Sequence, residues 1–199
     1  RMYLLVFMIL TSTIIYGLDL EFSNNTIHFK GENKAFSGYG KVKINNNLYE
    51  GEIFNGIPNG LGTLLFSNGD KYVGEFKDYT LDGKGTYYFS NGDKYIGQFR
   101  NNLREGKGSY YFSYGNTYSG ELKNNLFEGN GVYYFTNGDK YVGEFSDSYI
   151  NGYGTYYFSE GDMYVGEFKN NLFNGQGTYY YLDGDVESGF WENDKFLGY

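Results

Sequence analysis

The sequence predicts an all-β chain, a single-layer antiparallel meander of β-hairpins built as a repeat solenoid with a 23-residue period. Three observations carry this reading. The pentapeptide YVGEF occurs at Tyr72–Phe76, Tyr141–Phe145 and Tyr164–Phe168, with YIGQF at Tyr95–Phe99. The 199 residues hold 31 Gly, 25 Tyr and 18 Phe against one Pro and no Cys. Aromatic-rich runs flank Asn-Gly pairs, the composition of short strands joined by tight turns.

The repeat is the first element to justify. Tyr stands at 49, 72, 95, 118, 141 and 164, with Glu187 next in register. Gly follows two residues later, from Gly51 to Gly189. Two further on stand Ile53, Phe76, Phe99, Leu122, Phe145, Phe168 and Trp191. Gly-x-Gly pairs run from 60/62 to 175/177, and a last Gly from 69 to 184. These columns with Gly198 take 26 of the 31 glycines, so chance cannot produce the register. Six full copies and a terminal half copy span residues 49–199. Residues 18–48 form an N-terminal segment, in which 26–48 resemble a worn earlier copy with Gly38-Tyr-Gly40, one residue short.

One copy reads as a hairpin. In Gly85–Phe99 the pair Asn91-Gly92 is expected to make a two-residue type I′ turn, whose central residues need positive φ. That register pairs Tyr88 with Tyr95 and Thr86 with Gly97. It puts Thr86, Tyr88, Tyr95 and Phe99 on one face and Tyr87, Phe89, Lys94, Ile96 and Gln98 on the other. Gly97 inside a strand should mark a close approach, a slot where a neighbouring ring lies flat. An aromatic ladder is expected along the sheet as the partner-binding surface, formed by Tyr72, Phe76, Tyr95, Phe99, Tyr118, Tyr141, Phe145, Tyr164, Phe168 and Trp191. Roughly 13–15 strands follow, on the order of 65 Å of sheet.

Tyr-x-Gly-x-Phe, then Gly-x-Gly, then Phe-x-x-Gly at this period resembles the MORN (membrane occupation and recognition nexus) repeat. Tyr72, Gly74, Phe76, Gly83, Gly85 and Gly92 fit its motif in one copy; Ile53, Leu122 and Glu187 depart from it. The resemblance covers Tyr49 to the end. It implies a hairpin solenoid that serves as a scaffold, a dimerisation or partner-docking surface, or a membrane-apposition module. Some members carry phosphoinositide kinase or protein methyltransferase domains, for which the remaining residues leave no room. A weaker resemblance is to choline- or glycan-binding cell-wall repeats, which are rich in Trp, whereas Trp191 is alone here.

Charge and chemistry narrow the function. Net charge is −8, and from Tyr49 onward 11 Lys and Arg face 21 Asp and Glu. Such a surface repels phosphates, so no nucleic-acid partner is expected. Lys30, Lys34, Lys41 and Lys43 make a local basic stretch against Glu32. The absence of Cys excludes Cys-based zinc and iron–sulfur sites. His28 is the single histidine and reads as a strand residue. Asp70, Asp93 and Asp139, each closing Asn-Gly-Asp, read as turn chemistry, because Asp residues one copy apart cannot converge on an ion. The column Glu52, Glu75, Glu121, Glu144 and Glu167 reads as a solvated face. Gly83-Lys-Gly85 lacks the third glycine of a nucleotide loop. No catalytic, metal or cofactor residue is expected.

The expected function is therefore a non-catalytic scaffold presenting an aromatic-lined surface for protein binding or self-association as a homodimer. Direct phospholipid binding and extracellular glycan binding are the alternatives. Two outcomes are open for the rings: an exposed stripe for a partner, or a curled sheet that buries one face. Residues 1–17, with the apolar run Leu4–Leu10 continuing to Ile14 and Ile15, read as a signal peptide or membrane anchor. Membrane association or secretion is expected on that basis, with an intracellular membrane face as the alternative. Asn24-Asn25-Thr26 is a glycosylation sequon.

Overall fold

The computed structural model describes residues 19–199; the expected signal peptide or anchor at 1–17 lies outside the described residues. Among the described residues seventeen strands alternate with turns and short connections. The first two, β1 (Leu20–Ser23) and β2 (Thr26–Phe29), form a separate hairpin. The other fifteen make one antiparallel sheet in strict sequence order. They are β3 (Gly38–Ile44), β4 (Asn47–Phe54), β5 (Ile57–Leu65), β6 (Lys71–Lys77), β7 (Thr80–Tyr88), β8 (Lys94–Arg100), β9 (Leu103–Tyr111), β10 (Thr117–Lys123) and β11 (Leu126–Tyr134). Then follow β12 (Lys140–Ser146), β13 (Tyr149–Tyr157), β14 (Met163–Lys169), β15 (Leu172–Tyr180), β16 (Val186–Glu192) and β17 (Lys195–Gly198).

The all-β meander is as the repeat predicts, but the two kinds of turn exchange roles. Asn91-Gly92 does not form a two-residue type I′ turn. Phe89 N–H donates to Asp93 O, and Gly92 N–H to Phe89 O, both at 3.0 Å. This closes a three-residue loop in which only Gly92 has positive φ, at 91°. It is a type I turn followed by a left-handed residue. The extra loop residue moves the register by one: Tyr87 pairs with Tyr95, Thr86 with Ile96 and Tyr88 with Lys94. Every side chain of β7 therefore changes face relative to the expected pairing. Asn91 supports the loop without being required for it, since Tyr114-Gly115 and Glu160-Gly161 close the same way. The Asn91 Oδ1 accepts the Asp93 N–H at 3.0 Å, a local bond that favours the wider loop.

The two-residue turns with positive φ at both positions lie at the opposite rim. They are Asn55-Gly56, Asn101-Asn102 (φ 49° and 68°), Asn124-Asn125, Asn170-Asn171, Asn193-Asp194 and, without asparagine, Asp147-Ser148 and Asp78-Tyr79. Asn and Asp tolerate the left-handed region better than other side chains.

Tyr87, Tyr95, Phe99 and the paired glycines thus share an inner face, while Thr86, Tyr88, Lys94, Ile96 and Gln98 face out. The core is this inner face: Tyr49, Tyr72, Tyr95, Tyr118, Tyr141 and Tyr164 are fully buried. The glycines explain how a single layer can bury them. Gly74 and Gly85 are paired across β6 and β7. A Cβ on Gly74 would stand 2.5 Å from the Tyr72 hydroxyl oxygen and 2.5 Å from the Gly85 Cα. The Tyr72 ring lies flat on this bare backbone, and its hydroxyl donates to Glu75 O at 2.9 Å. The slot expected at Gly97 is filled likewise by the ring of Tyr95, from the same strand, rather than by a neighbour's.

The register shifts at Gly74/Phe76, Gly97/Phe99, Gly143/Phe145 and Gly166/Phe168. Such bulges bend strands and raise the twist. The glutamate column serves them. Glu75 accepts the Lys84 N–H at 3.2 Å, Glu144 the Tyr153 N–H at 2.9 Å and Glu167 the Gln176 N–H at 3.1 Å.

At the N-terminal end Gly38 and Gly40 occupy the Gly-x-Gly strand, β3. The β1–β2 hairpin packs over this end, with Ile27 fully buried and its N–H bonded to Gly56 O at 2.8 Å. Tyr79 ties the hairpin to the sheet, its hydroxyl lying 2.8 Å from Asn25 O and 2.9 Å from Gly56 O.

Candidate functional site

The inner face carries two tiers of rings. The lower tier holds the ten residues expected as the ladder. Tyr72, Tyr95, Tyr118, Tyr141 and Tyr164 are fully buried, and Phe76, Phe99, Phe145, Phe168 and Trp191 are buried beside them. Edge-to-face contacts link successive copies: Tyr72 to Phe99 at 5.0 Å, Tyr118 to Phe145 at 5.0 Å, Tyr141 to Phe168 at 5.0 Å and Tyr164 to Trp191 at 5.3 Å. This geometry suits the positive edge and negative face of aromatic rings. The ladder is interrupted once, between Tyr95 and Tyr118, where Leu122 replaces the aromatic ring. The structure brings the ten residues together as the buried floor of the face, so they do not themselves present the partner-binding surface expected of them.

The second tier is half-buried and open to solvent except at Tyr110, which is buried, and it is unbroken. It runs Phe66, Tyr87, Phe89, Tyr110, Phe112, Tyr133, Phe135, Tyr156, Phe158, Tyr179 and Tyr181, with centroids between 4.5 and 5.9 Å apart. Sequence reasoning placed Tyr87 and Phe89 on the face away from the ladder, so this stripe was missed. Its signal is the recurring Tyr-Tyr-Phe; reading it correctly needs the three-residue loop. Two depressions lie along the stripe. One of about 660 Å³ is lined by Arg104, Tyr110, Phe112, Tyr133, Phe135 and Phe145. The other, about 590 Å³, lies under the N-terminal hairpin beside Phe22, Tyr49, Leu64, Phe66 and Tyr79.

The outer face is chemically different. Tyr88, Tyr111, Tyr134 and Tyr157 are exposed there. Lysines cover three of them, with Nζ of Lys71, Lys94 and Lys140 at 5.6, 4.4 and 4.1 Å from the ring centroids of Tyr88, Tyr111 and Tyr157.

The Asn-Gly-Asp motifs staple neighbouring copies. Asp93 is buried; its Oδ2 accepts the Tyr110 hydroxyl and its Oδ1 the Ser113 N–H, both at 2.7 Å. Asp70 does the same for Tyr87 and Ser90, and Asp139 for Tyr156 and Ser159. Burial by itself would raise these carboxyls. The hydrogen bonds to the ionised form outweigh it and hold all three below the usual carboxylate range. Asn116 takes the place in one copy with the bond to tyrosine reversed, donating from Nδ2 to the Tyr133 hydroxyl at 2.8 Å. Burial pushes the tyrosine hydroxyls upward, Tyr95, Tyr110 and Tyr133 to about 12.

Among the described residues no group of three or more His, Cys, Asp or Glu side chains is placed to hold a metal ion. His28 is buried in the N-terminal hairpin, with Nε2 2.7 Å from Ser23 Oγ. Among the described residues no helix is long and apolar enough to cross a membrane.

The MORN repeat profile matches residues 49–71, 72–94, 95–117, 118–140, 141–163 and 164–186. A search of curated proteins finds no match. Among solved structures, the chain is similar to the TCP domain of SAS-4 (dCPAP) of Drosophila melanogaster, solved in complex with a proline-rich motif of Ana2. There the identity is 17%, coverage 74% of this chain and 80% of that one, and the TM-score 0.45. The wild-type TCP10 domain of Danio rerio CPAP is 13% identical, with 76% and 83% of the two chains covered and a TM-score of 0.25. A streptogramin B lyase is 14% identical over 79% and 56% of the chains, with a TM-score of 0.21.

Proposed function

Because the chain belongs to the MORN repeat family, we propose that its inner face docks a protein segment along the half-buried ring stripe. One observation carries this reading: the stripe from Phe66 to Tyr181 is unbroken, open apart from buried Tyr110, and packed on the buried ladder beneath. Apolar stripes of this extent mark association sites in soluble proteins. Tyr and Phe supply large contact areas with little side-chain entropy to lose. The outer face competes less well, since lysines already cover Tyr88, Tyr111 and Tyr157.

Placement near a membrane is part of the proposal and rests on the apolar run in residues 1–17. Direct phospholipid contact is disfavoured by the net charge of −8. The test is co-purification from native cells. Replacing Phe112, Phe135 and Phe158 together by Ala should abolish partner recovery while the chain stays folded. Replacing Tyr111, Tyr134 and Tyr157 on the outer face should leave recovery intact. Equal recovery from both triple variants would remove the inner face from the function.

A further inference from the structure

The inner-face column of Pro58, Leu81, Phe127, Ile150 and Phe173 contains one charged member, Arg104. All are held in the same way, opposite Ile53, Phe76, Leu122, Phe145, Phe168 and, for Arg104, Phe99. In two copies the column residue is a ring stacked on the buried tyrosine nine positions earlier. Phe127 lies 3.8 Å from Tyr118, and Phe173 lies 3.8 Å from Tyr164. Arg104 takes that place over Tyr95, its guanidinium carbon 5.8 Å from the ring centroid, and also faces Phe89 at 5.5 Å and Tyr110 at 5.1 Å. The same neighbourhood contains the ladder's gap at Leu122, so two departures from the repeat meet at one point of the groove.

Leu81 and Ile150 show that the position can be filled without charge. A guanidinium there gives up hydration and gains only part of its hydrogen bonding in return. Nε donates to Asn125 Oδ1 at 3.3 Å and Nη2 to Asn125 O at 3.0 Å. A guanidinium has five N–H donors. Among the described residues the ion pairs involve His28, Lys30 and Lys41, and none involves Arg104. A cation bordered by rings, lining a groove of about 660 Å³, is suited to an anion carried on an apolar body.

We infer that Arg104 sets the register of the docked segment by pairing with a single carboxylate, an Asp or Glu flanked by apolar or aromatic residues in an extended protein chain. This rests on the docking role of the inner face. The rest of the molecule sharpens the choice. With a net charge of −8, a polyacidic segment or an anionic membrane is repelled overall. One carboxylate at Arg104 is attracted locally, while the ring stripe accepts its apolar neighbours.

The test is selection of linear peptides from a random display library on the full chain and on Arg104→Leu, each checked for folding by its unfolding transition. The wild-type chain should enrich one Asp or Glu within an apolar sequence. Arg104→Leu should keep the apolar residues and lose the acid. A synthetic version of the selected peptide with Glu→Gln should bind the wild-type chain roughly ten- to a hundred-fold more weakly, a readout that holds even if Arg104→Leu fails to fold. Acid enrichment equal on both chains, or no effect of Glu→Gln, overturns the role of Arg104 while leaving the groove in place. Peptides insensitive to Phe135→Ala would overturn the docking face itself, and the inference with it. Arg104-dependent flotation with phosphatidylserine vesicles, without acid enrichment among peptides, would assign the cation to lipid and also overturn it.

Discussion

Glycine and tyrosine act as one unit at the residue scale. Tyr72 can lie flat only because Gly74 and Gly85 present bare backbone to it. Gly74→Ala should therefore lower stability by about 1–3 kcal/mol, the usual cost of overpacking, read as a lower midpoint in urea; an unchanged midpoint would show that the ring has room to lift. The buried aspartates make a second prediction. Asp93→Ala strands the Tyr110 hydroxyl and the Ser113 N–H and should cost about 1–3 kcal/mol. Asp93→Asn should cost less, since Asn116 already serves this position by reversing the bond to tyrosine. Acid stability separates the two forms further. Asp70, Asp93 and Asp139 have folded values below their unfolded ones, so between the two the unfolded chain binds more protons. Their contribution is complete above the unfolded carboxylate value and is lost as pH falls through the folded one. Urea midpoints measured from pH 6 down to pH 2 should fall in the wild-type chain and fall less steeply in Asp93→Asn.

At the scale of the element, each hairpin is bound to its neighbours at both rims. The three-residue loops are joined by the aspartates and, in one copy, by Asn116. The two-residue turns are joined by side chains that reach back: Asn102, Asn125 and Asn171 accept the N–H of Leu81, Arg104 and Ile150, each at 2.8 Å. Asn102→Val should cost about 1–2 kcal/mol for its left-handed backbone and further free energy for the stranded Leu81 N–H. Asn102→Gly should relieve the first cost and retain the second. Thermal unfolding of the two variants gives the order, and equal midpoints would remove the backbone contribution. These turns also mark how far the sequence could be read. Period and strand content were legible because glycine and tyrosine can play few other parts at such spacing, whereas burial of the tyrosine columns was one of two open outcomes. The face of Tyr87 and Phe89 was not. Asn-Gly fits both a two-residue and a three-residue loop, and the three-residue form recurs at Tyr114-Gly115 and Glu160-Gly161, so the Asn-Gly pair alone does not decide between them. The one-residue difference hid the ring stripe. Arg104 was visible as a residue but not as a cation in a ring position, because its column becomes clear only once the strands are paired.

Across the whole molecule, a single sheet replaces a second layer with stacked tyrosines. Tyr49, Tyr72, Tyr118, Tyr141 and Tyr164 are pushed well above the ordinary phenol range, chiefly by burial, and Tyr95, Tyr110 and Tyr133 to about 12. A raised folded value means that the neutral hydroxyl is favoured in the fold. The resulting stability is complete below pH 10 and lost as pH rises through the folded values. Absorbance at 295 nm should show a tyrosine fraction that ionises only together with loss of the circular-dichroism signal; smooth titration of every tyrosine in the folded chain would contradict the buried ladder. The rigid floor so formed holds up the open stripe on which the proposed function depends. Site-specific photo-crosslinking in native cells tests that dependence most directly, with benzoylphenylalanine placed singly at Phe112, Phe135 and Phe158 and, for comparison, at Tyr111, Tyr134 and Tyr157. Discrete protein adducts from the inner positions and none from the outer ones are the predicted result. Adducts confined to the outer positions, or absent from both sets, would contradict the assignment of the inner face as the docking surface.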